Sequence, residues 1–226
     1  MALFIPTYFS PISQYHAILN SNSITFEVED NYQKQTYRNR CYIYGANGKQ
    51  LLNIPVSIPK SSIKTKSKDI LVENSNWQKQ HYKSFEAAYN HSPFFEFYKD
   101  DLQLIFEKKY KYLLDVTLDS FLFINDALDL AKNHVVSKQY NDSNLNDFRH
   151  LASAKSNLSY NFEPYIQMFD DKYGFLENLS ILDLLFMEGP NSISFFTSTF
   201  FDNSVITSLI VFPSPLLGIF SIAIDL

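Results

Sequence analysis

From Ile24 to Glu29 the chain alternates strictly, with Ile24, Phe26 and Val28 set against Thr25, Glu27 and Glu29, which is the period of a strand burying one face. A second β region follows the polar stretch NYQKQT. There the aromatic run YRNRCYIY, the Asn47-Gly48 turn signal and QLLNIPVSI together predict a hairpin. A connector carrying Lys60, Lys64, Lys66 and Lys68 reads as a solvated loop before a short strand from Ile70 to Val72, with phosphate binding by these lysines as the less favoured alternative. The period then changes. WQKQHYKSFEAAY, FFEFYKDDLQLIFEKKY and LLDVTLDSFLFINDALDLA space their apolar residues by three and four and predict three helices. Asn74 to Asn76 supply a cap for the first, Ser92-Pro93 opens the second, and a bend near Tyr110 to Tyr112 precedes the third. Ser137 to Asn161 is polar and reads as a surface segment, a mobile cover with one short helical piece around Asp147 to Lys155. YIQMF predicts a strand, and NLSILDLLFMEGP a helix stopped by Gly189 and Pro190. Strands and helices do not follow a regular βαβ rhythm. The expectation is an irregular α/β or α+β domain over residues 1–200, a strand and hairpin region followed by a helical half, with an apolar tail at 201–226.

Composition narrows the setting. At 226 residues, 46% apolar and 16% aromatic, the chain can bury a substantial single core. A formal net charge of −5 leaves no global positive field for nucleic acid, so any anion site must be local. Cys41 is the only cysteine, which excludes an internal disulfide and any multi-cysteine metal site. MALFIPTYFSPISQY has no basic residue before its apolar stretch and is interrupted by Pro6 and Pro11, so it does not read as a secretory signal, and a cytoplasmic location is expected. Val205 to Ile224 is uncharged and close to bilayer-spanning length, but Pro213 and Pro215 divide it into two strand-length pieces. Packed core is favoured there over membrane contact.

Three segments hold the candidate chemistry. On a strand, Arg38 and Arg40 would share a face with Tyr42 and Tyr44, placing two guanidinium groups to grip one phosphate or carboxylate while the tyrosines pack a sugar or base. Ion pairs with Glu27, Glu29 or a helix carboxylate are the structural alternative. His81 lies four residues from both Trp77 and Phe85, on the apolar stripe of its helix, as either a hydrogen-bonded core residue or a general base beside a cleft. Asp183 interrupts an otherwise apolar helix and needs solvent, a donor or a cation, with Arg38 or Arg40 as possible partners. Cys41 with His81 would make a thiol nucleophile and base only within hydrogen-bond reach, and an isolated strand cysteine is more often inert. His16, His91, His134 and His150 have no metal-ligand spacing, no glycine-rich phosphate loop is present, and no cofactor is indicated.

The segments PTYFSPISQY, NYQKQTYRNRCYI, LLNIPVSI, WQKQHYKSFEAAYNHSPFFEFY and YIQMFDDKYGFLENLSILDLLFMEGP, in this order across most of residues 4–191, resemble the WbqC-like protein family of bacteria. The resemblance implies a role beside genes for O-antigen or other surface polysaccharides, with attachment of an amino acid such as glycine to a sugar as a suggested activity. It points to Gln33, Lys34, Arg38, Asn39, Arg40, His81 and Asp183 as the polar positions to examine. Ile5 stands where the family usually has Gln, and the polar stretch from Ser137 replaces a longer Gly/Ser-rich segment. Two functions are therefore expected. One is a transferase acting on an activated or lipid-linked sugar, with the arginines on an anionic group, His81 as base and Asp183 orienting a cation or the imidazole. The other is a non-catalytic protein of the same pathway, holding a sugar nucleotide or contacting polysaccharide-assembly proteins.

Overall fold

Short parallel strands begin the fold, where the sequence pattern led us to expect one strand with a solvated face. The computed structural model describes residues 1–58, 64–141, 146–155, 160 and 162–198. Along the chain come β1 (Ala2–Phe4), α1 (Ile12–Leu19), β2 (Ile24–Phe26), β3 (Arg40–Gly45), β4 (Gly48–Asn53), β5 (Val56–Ser57) and β6 (Leu71–Val72). Next are α2 (Trp77–Tyr89), α3 (Phe95–Glu107), α4 (Leu113–Ala127), β7 (His134–Val136), α5 (Asp170–Tyr173), α6 (Ile181–Glu188) and α7 (Ser192–Ser198). The result is a single α+β domain. Lys60 and the tail at 201–226, with its packed or membrane-contacting alternatives, lie outside the described residues. Among the described residues no helix is long and apolar enough to cross a membrane.

β2 is the middle strand of a parallel sheet ordered β1, β2, β7. Ala2 pairs with Ile24 and Ile24 with His134. A middle strand of a parallel sheet is covered on both faces, so Thr25 is buried along with Ile24 and Phe26, and Glu27 just past the strand is buried too. This corrects the expected one-sided strand. On the outer side of β1, Leu3 bridges Asp147 in parallel, through Leu3 N–H to Asn146 O (2.9 Å) and Phe148 N–H to Leu3 O (2.8 Å). The segment at 146–148 therefore extends the sheet, and part of the expected surface segment is structural wall.

The hairpin β3–β4 forms as expected, with Gly45 opposite Gly48. Its connecting residues are Ala46-Asn47, one position earlier than the Asn-Gly signal suggested, and Gly48 takes a φ of +95°. Tyr37 to Asn39 form a turn, so the strand begins only at Arg40 and the proposed shared strand face of Arg38 and Arg40 does not exist. YIQMF is not a paired strand either. Its Tyr165 and Gln167 side chains turn inward to α6.

The loop from β1 to α1 threads the core. Phe9 has a φ of 38°, a region unfavourable for a bulky side chain. Its ring packs on Phe85, Phe106 and Phe123, and its carbonyl accepts from Ser180 Oγ at 2.9 Å. α6 ends at Gly189, φ +55°, where a Cβ would stand 2.5 Å from the Phe94 ring. Only glycine fits that stop without displacing Phe94.

Candidate functional site

A cleft of ≈ 540 Å³ opens at the carboxyl ends of the parallel strands. Ile5 follows β1, Glu29 to Asn31 follow β2, Tyr140 follows β7, and Arg149, His150, Ala152 and Ser153 follow the 146–148 segment. Chain leaving the carboxyl ends of parallel strands diverges, and ligand sites form in the crevice that results. The remaining wall is Gln33, Thr36, Arg38 and Lys66. This wall is held in place by backbone bonds. Tyr37 N–H donates to Ala152 O (2.8 Å), its carbonyl accepts from Tyr8 N–H (2.9 Å), and Tyr32 N–H donates to Thr65 O (2.9 Å). Thr36 Oγ1 closes the turn on Gln33 O at 3.0 Å, across Gln35 at a φ of 60°.

Three cations line the cleft, each oriented by an acid. Arg38 pairs through Nη2 with Asp30 and donates from Nε to Ser67 Oγ at 3.3 Å. Arg149 grips Asp147 through Nε and Nη2, donates from Nη1 to Asn141 O at 3.0 Å, and lies over the Tyr140 ring. Burial pushes the Asp147 carboxyl up, but the bonds from Arg149 outweigh it and hold the group below its ordinary value. Lys66 and Lys68 share Glu29, and their hydrogen bonds hold that carboxyl below its ordinary range. Guanidinium groups carry five N–H donors, so both arginines keep donors beyond these contacts. Behind the cleft, buried Glu27 accepts from Ser137 Oγ (2.7 Å), Asn141 N–H (2.9 Å) and Glu29 N–H (2.7 Å). Glu27 thus ties the chain after β7 to the end of β2. Such a cleft can neutralise a phosphate or carboxylate and bond hydroxyls through Gln33, Thr36 and Ser153.

A family model described as the WbqC-like protein family matches residues 6–156. The chain belongs to the WbqC-like protein family. No curated protein and no solved structure gives a match. Every residue lining the cleft except Ile5 falls within the residues matched to the WbqC-like family. YIQMF and the α6 segment, with Asp183, lie beyond them.

Of the positions read from the sequence, Gln33 and Arg38 line the cleft. Lys34 is exposed on the same loop without lining it. Asn39 is buried and braces the hairpin exit, donating from Nδ2 to Asn53 Oδ1 (3.1 Å) and Ile54 O (2.9 Å). Arg40 acts with Arg38 on the Tyr32 hydroxyl electrostatically but does not line the cleft. His81 and Asp183 are not brought there.

His81 is buried, and its Nδ1 lies 3.0 Å from the Tyr8 hydroxyl. Burial lowers its pKa to about 4. The neutral imidazole is held by Tyr8 and packs against the Trp77 ring, outside the cleft. Asp183, fully buried, meets no arginine. It accepts from Tyr89 Oη (2.6 Å), Tyr165 Oη (2.5 Å) and Gln167 Nε2 (3.1 Å), and desolvation raises its pKa to about 6 despite those bonds. The expected Arg38 or Arg40 partnership is corrected accordingly: Arg38 is taken by Asp30. Cys41 is buried and burial pushes its thiol pKa far up, leaving it unreactive.

Sequence reasoning missed Asp30, Tyr140, Arg149, His150 and Ser153, and it favoured a solvated loop for Lys66, which lines the cleft. One signal was available. The chain has three arginines, and two of them, Arg38 and Arg149, line this cleft. Among the described residues no group of three or more His, Cys, Asp or Glu side chains is placed to hold a metal ion.

Proposed function

We propose that this WbqC-like protein is a transferase of bacterial surface polysaccharide assembly, and that the cleft receives a sugar carrying phosphate or carboxylate. The observation that carries this reading is the convergence of Arg38, Lys66 and Arg149 with Gln33, Thr36 and Ser153 in one ≈ 540 Å³ cleft. In this reading the cations hold the anionic group of an activated or lipid-linked sugar. His150, the imidazole that lines the cleft, takes the proton from the attacking hydroxyl or amine. A second reading, a non-catalytic sugar-nucleotide-binding protein of the same pathway, is favoured by the placement of His81 and Asp183 outside the cleft.

Incubation with a mixture of UDP-glucose, GDP-mannose and aminoacyl and acyl donors, followed by mass spectrometry of bound and converted species, separates these readings. Arg149→Gln should reduce nucleotide-sugar retention by about tenfold or more, the loss expected for a charge-assisted contact. His150→Ala should retain the ligand and abolish conversion. Undiminished retention in Arg149→Gln would remove the cleft from the account, and retention without conversion by the wild type would select the binding reading.

A further inference from the structure

A second cleft, of ≈ 460 Å³, adjoins the cationic one beside β7, the edge strand of the parallel sheet, and Tyr140 lines both. The wall between them is thin. Arg149, on the first cleft, donates from Nη1 to the carbonyl of Asn141, on the second, at 3.0 Å. The second cleft has a mixed lining: Val135 and Tyr140, 58% and 50% exposed, stand beside the amides of Gln139 and Asn141. A hydrocarbon chain fits such a lining poorly, because it gives the polar groups no partner. A nucleobase fits it well, since its faces stack on an aromatic ring while its edges exchange hydrogen bonds.

Tyr140 is fixed for such a contact. The guanidinium of Arg149 lies over its ring, 5.2 Å from the centroid, and Asp147 holds that guanidinium through Nε and Nη2. The following residue, Asn141, is pinned through its N–H to buried Glu27 at 2.9 Å. A ring covered by a guanidinium on one face presents the other, and a ring already held loses little freedom when a base stacks on it. The phosphate is confined to the opposite side of Tyr140. In many βαβ units an anion takes the N-terminus of the crossover helix. Here that end of α1 is occupied by protein: Ile12 N–H donates to Leu179 O (3.0 Å) and Ser13 N–H to Asn178 Oδ1 (2.9 Å). Arg38, Lys66 and Arg149, in the first cleft, are left to hold the charge. In a nucleotide only the ribose separates base from phosphate, so one ligand can reach both clefts across this ring.

We propose that the second cleft is a nucleobase subsite with Tyr140 as its stacking platform, so that the activated sugar is a nucleotide sugar and not a lipid-linked one. This rests on the reading of the first cleft as an anion site. Tyr140 is the specificity residue, and Arg149 both holds its ring and meets the phosphate.

Calorimetric titration of the full chain at pH 7.5 and low salt with AMP, CMP, GMP, UMP and ribose 5-phosphate tests it. At least one of the nucleotides should bind the wild type about tenfold more tightly than ribose 5-phosphate, the worth of a base stacked on an aromatic ring. That nucleotide should also slow hydrogen exchange in residues 135–141 beyond the protection given by ribose 5-phosphate. Tyr140→Ala should lose most of the preference while still binding ribose 5-phosphate, since Asp147 and Asn141 O continue to hold Arg149. Tyr140→Phe should keep it, because stacking needs the ring and not the hydroxyl. Equal binding of all the nucleotides and ribose 5-phosphate by the wild type overturns the inference, as does a preference without added protection at 135–141, and neither result needs a variant to fold. A preference retained in Tyr140→Ala overturns it too. Failure of every one of these phosphates to bind removes the anion site itself, a result distinct from loss of the preference alone.

Discussion

Replacing Asp183 with alanine should destabilise the fold by roughly 3–5 kcal/mol, enough to unfold many domains of this size. The carboxylate is the meeting point of Tyr89 from α2, and of Tyr165 and Gln167 from the chain before α5. Gln167 also donates to Leu176 O at 3.0 Å and accepts from Leu176 N–H at 2.8 Å, so the hub fixes the whole approach to α6. Alanine would leave the buried Tyr89 and Tyr165 hydroxyls without their acceptor, while the Gln167 amide keeps Leu176 O. Urea denaturation reads the loss. An effect under about 1 kcal/mol would mean that these bonds are replaced by others.

Asp183→Asn separates charge from shape. The folded pKa of Asp183, about 6, lies above its ordinary 3.8, so its protonated form favours the fold below pH 3.8 and that contribution is lost as pH rises through 6. His81 acts in the opposite direction. Its folded value of about 4 lies below 6.5, so its contribution is full above pH 6.5 and is lost as pH falls through 4. Each amounts to on the order of 3 kcal/mol at most. Relative to the wild type, Asp183→Asn should gain stability from pH 4 to 6, and His81→Gln should lose it over the same range. Parallel curves for wild type and both variants would contradict the two assignments.

Arg38→Ala should cost a similar amount, about 3–5 kcal/mol, because it leaves Asp30 as a buried charge without a cation. The side chains of the pair are 6% and 10% exposed, so water cannot replace the guanidinium. Removing both charges is a different case. The double variant Asp30→Ala with Arg38→Ala should be more stable than Arg38→Ala alone, since the stranded carboxylate has gone. Additive losses in the double variant would show that the pair's charges are not coupled.

Long-period signals were readable from the sequence. α2, α3 and α4 follow from apolar spacing, and α6 from NLSILDLLFMEGP with its Gly189 stop. β1 and β7 were not legible, since three residues carry too little periodicity and their pairing with β2 is non-local. Thr25 shows the reason most clearly: alternation marks it as outward-facing, but it is buried in a middle parallel strand that has no outward face. At the site, Arg38 and Gln33 were found because local chemistry marks them. Arg149 and His150 were not, because non-local bridges, Leu3 to Asp147 and Thr36 to Ser153, bring that segment to the cleft. His81 and Asp183 attracted functional roles as polar residues among apolar ones. The same signature belongs to a buried polar group whose hydrogen bonds are satisfied, and here each is supplied by tyrosine hydroxyls distant in sequence.

Hydrogen–deuterium exchange of the wild type, with and without saturating nucleotide sugar, locates the functional site most directly. Ligand at the carboxyl ends of the parallel strands should slow exchange in residues 29–38 and 149–153 and leave 77–89 and 178–188 unchanged. Protection centred on the helices that carry His81 and Asp183, with the cleft segments unaffected, would contradict that placement.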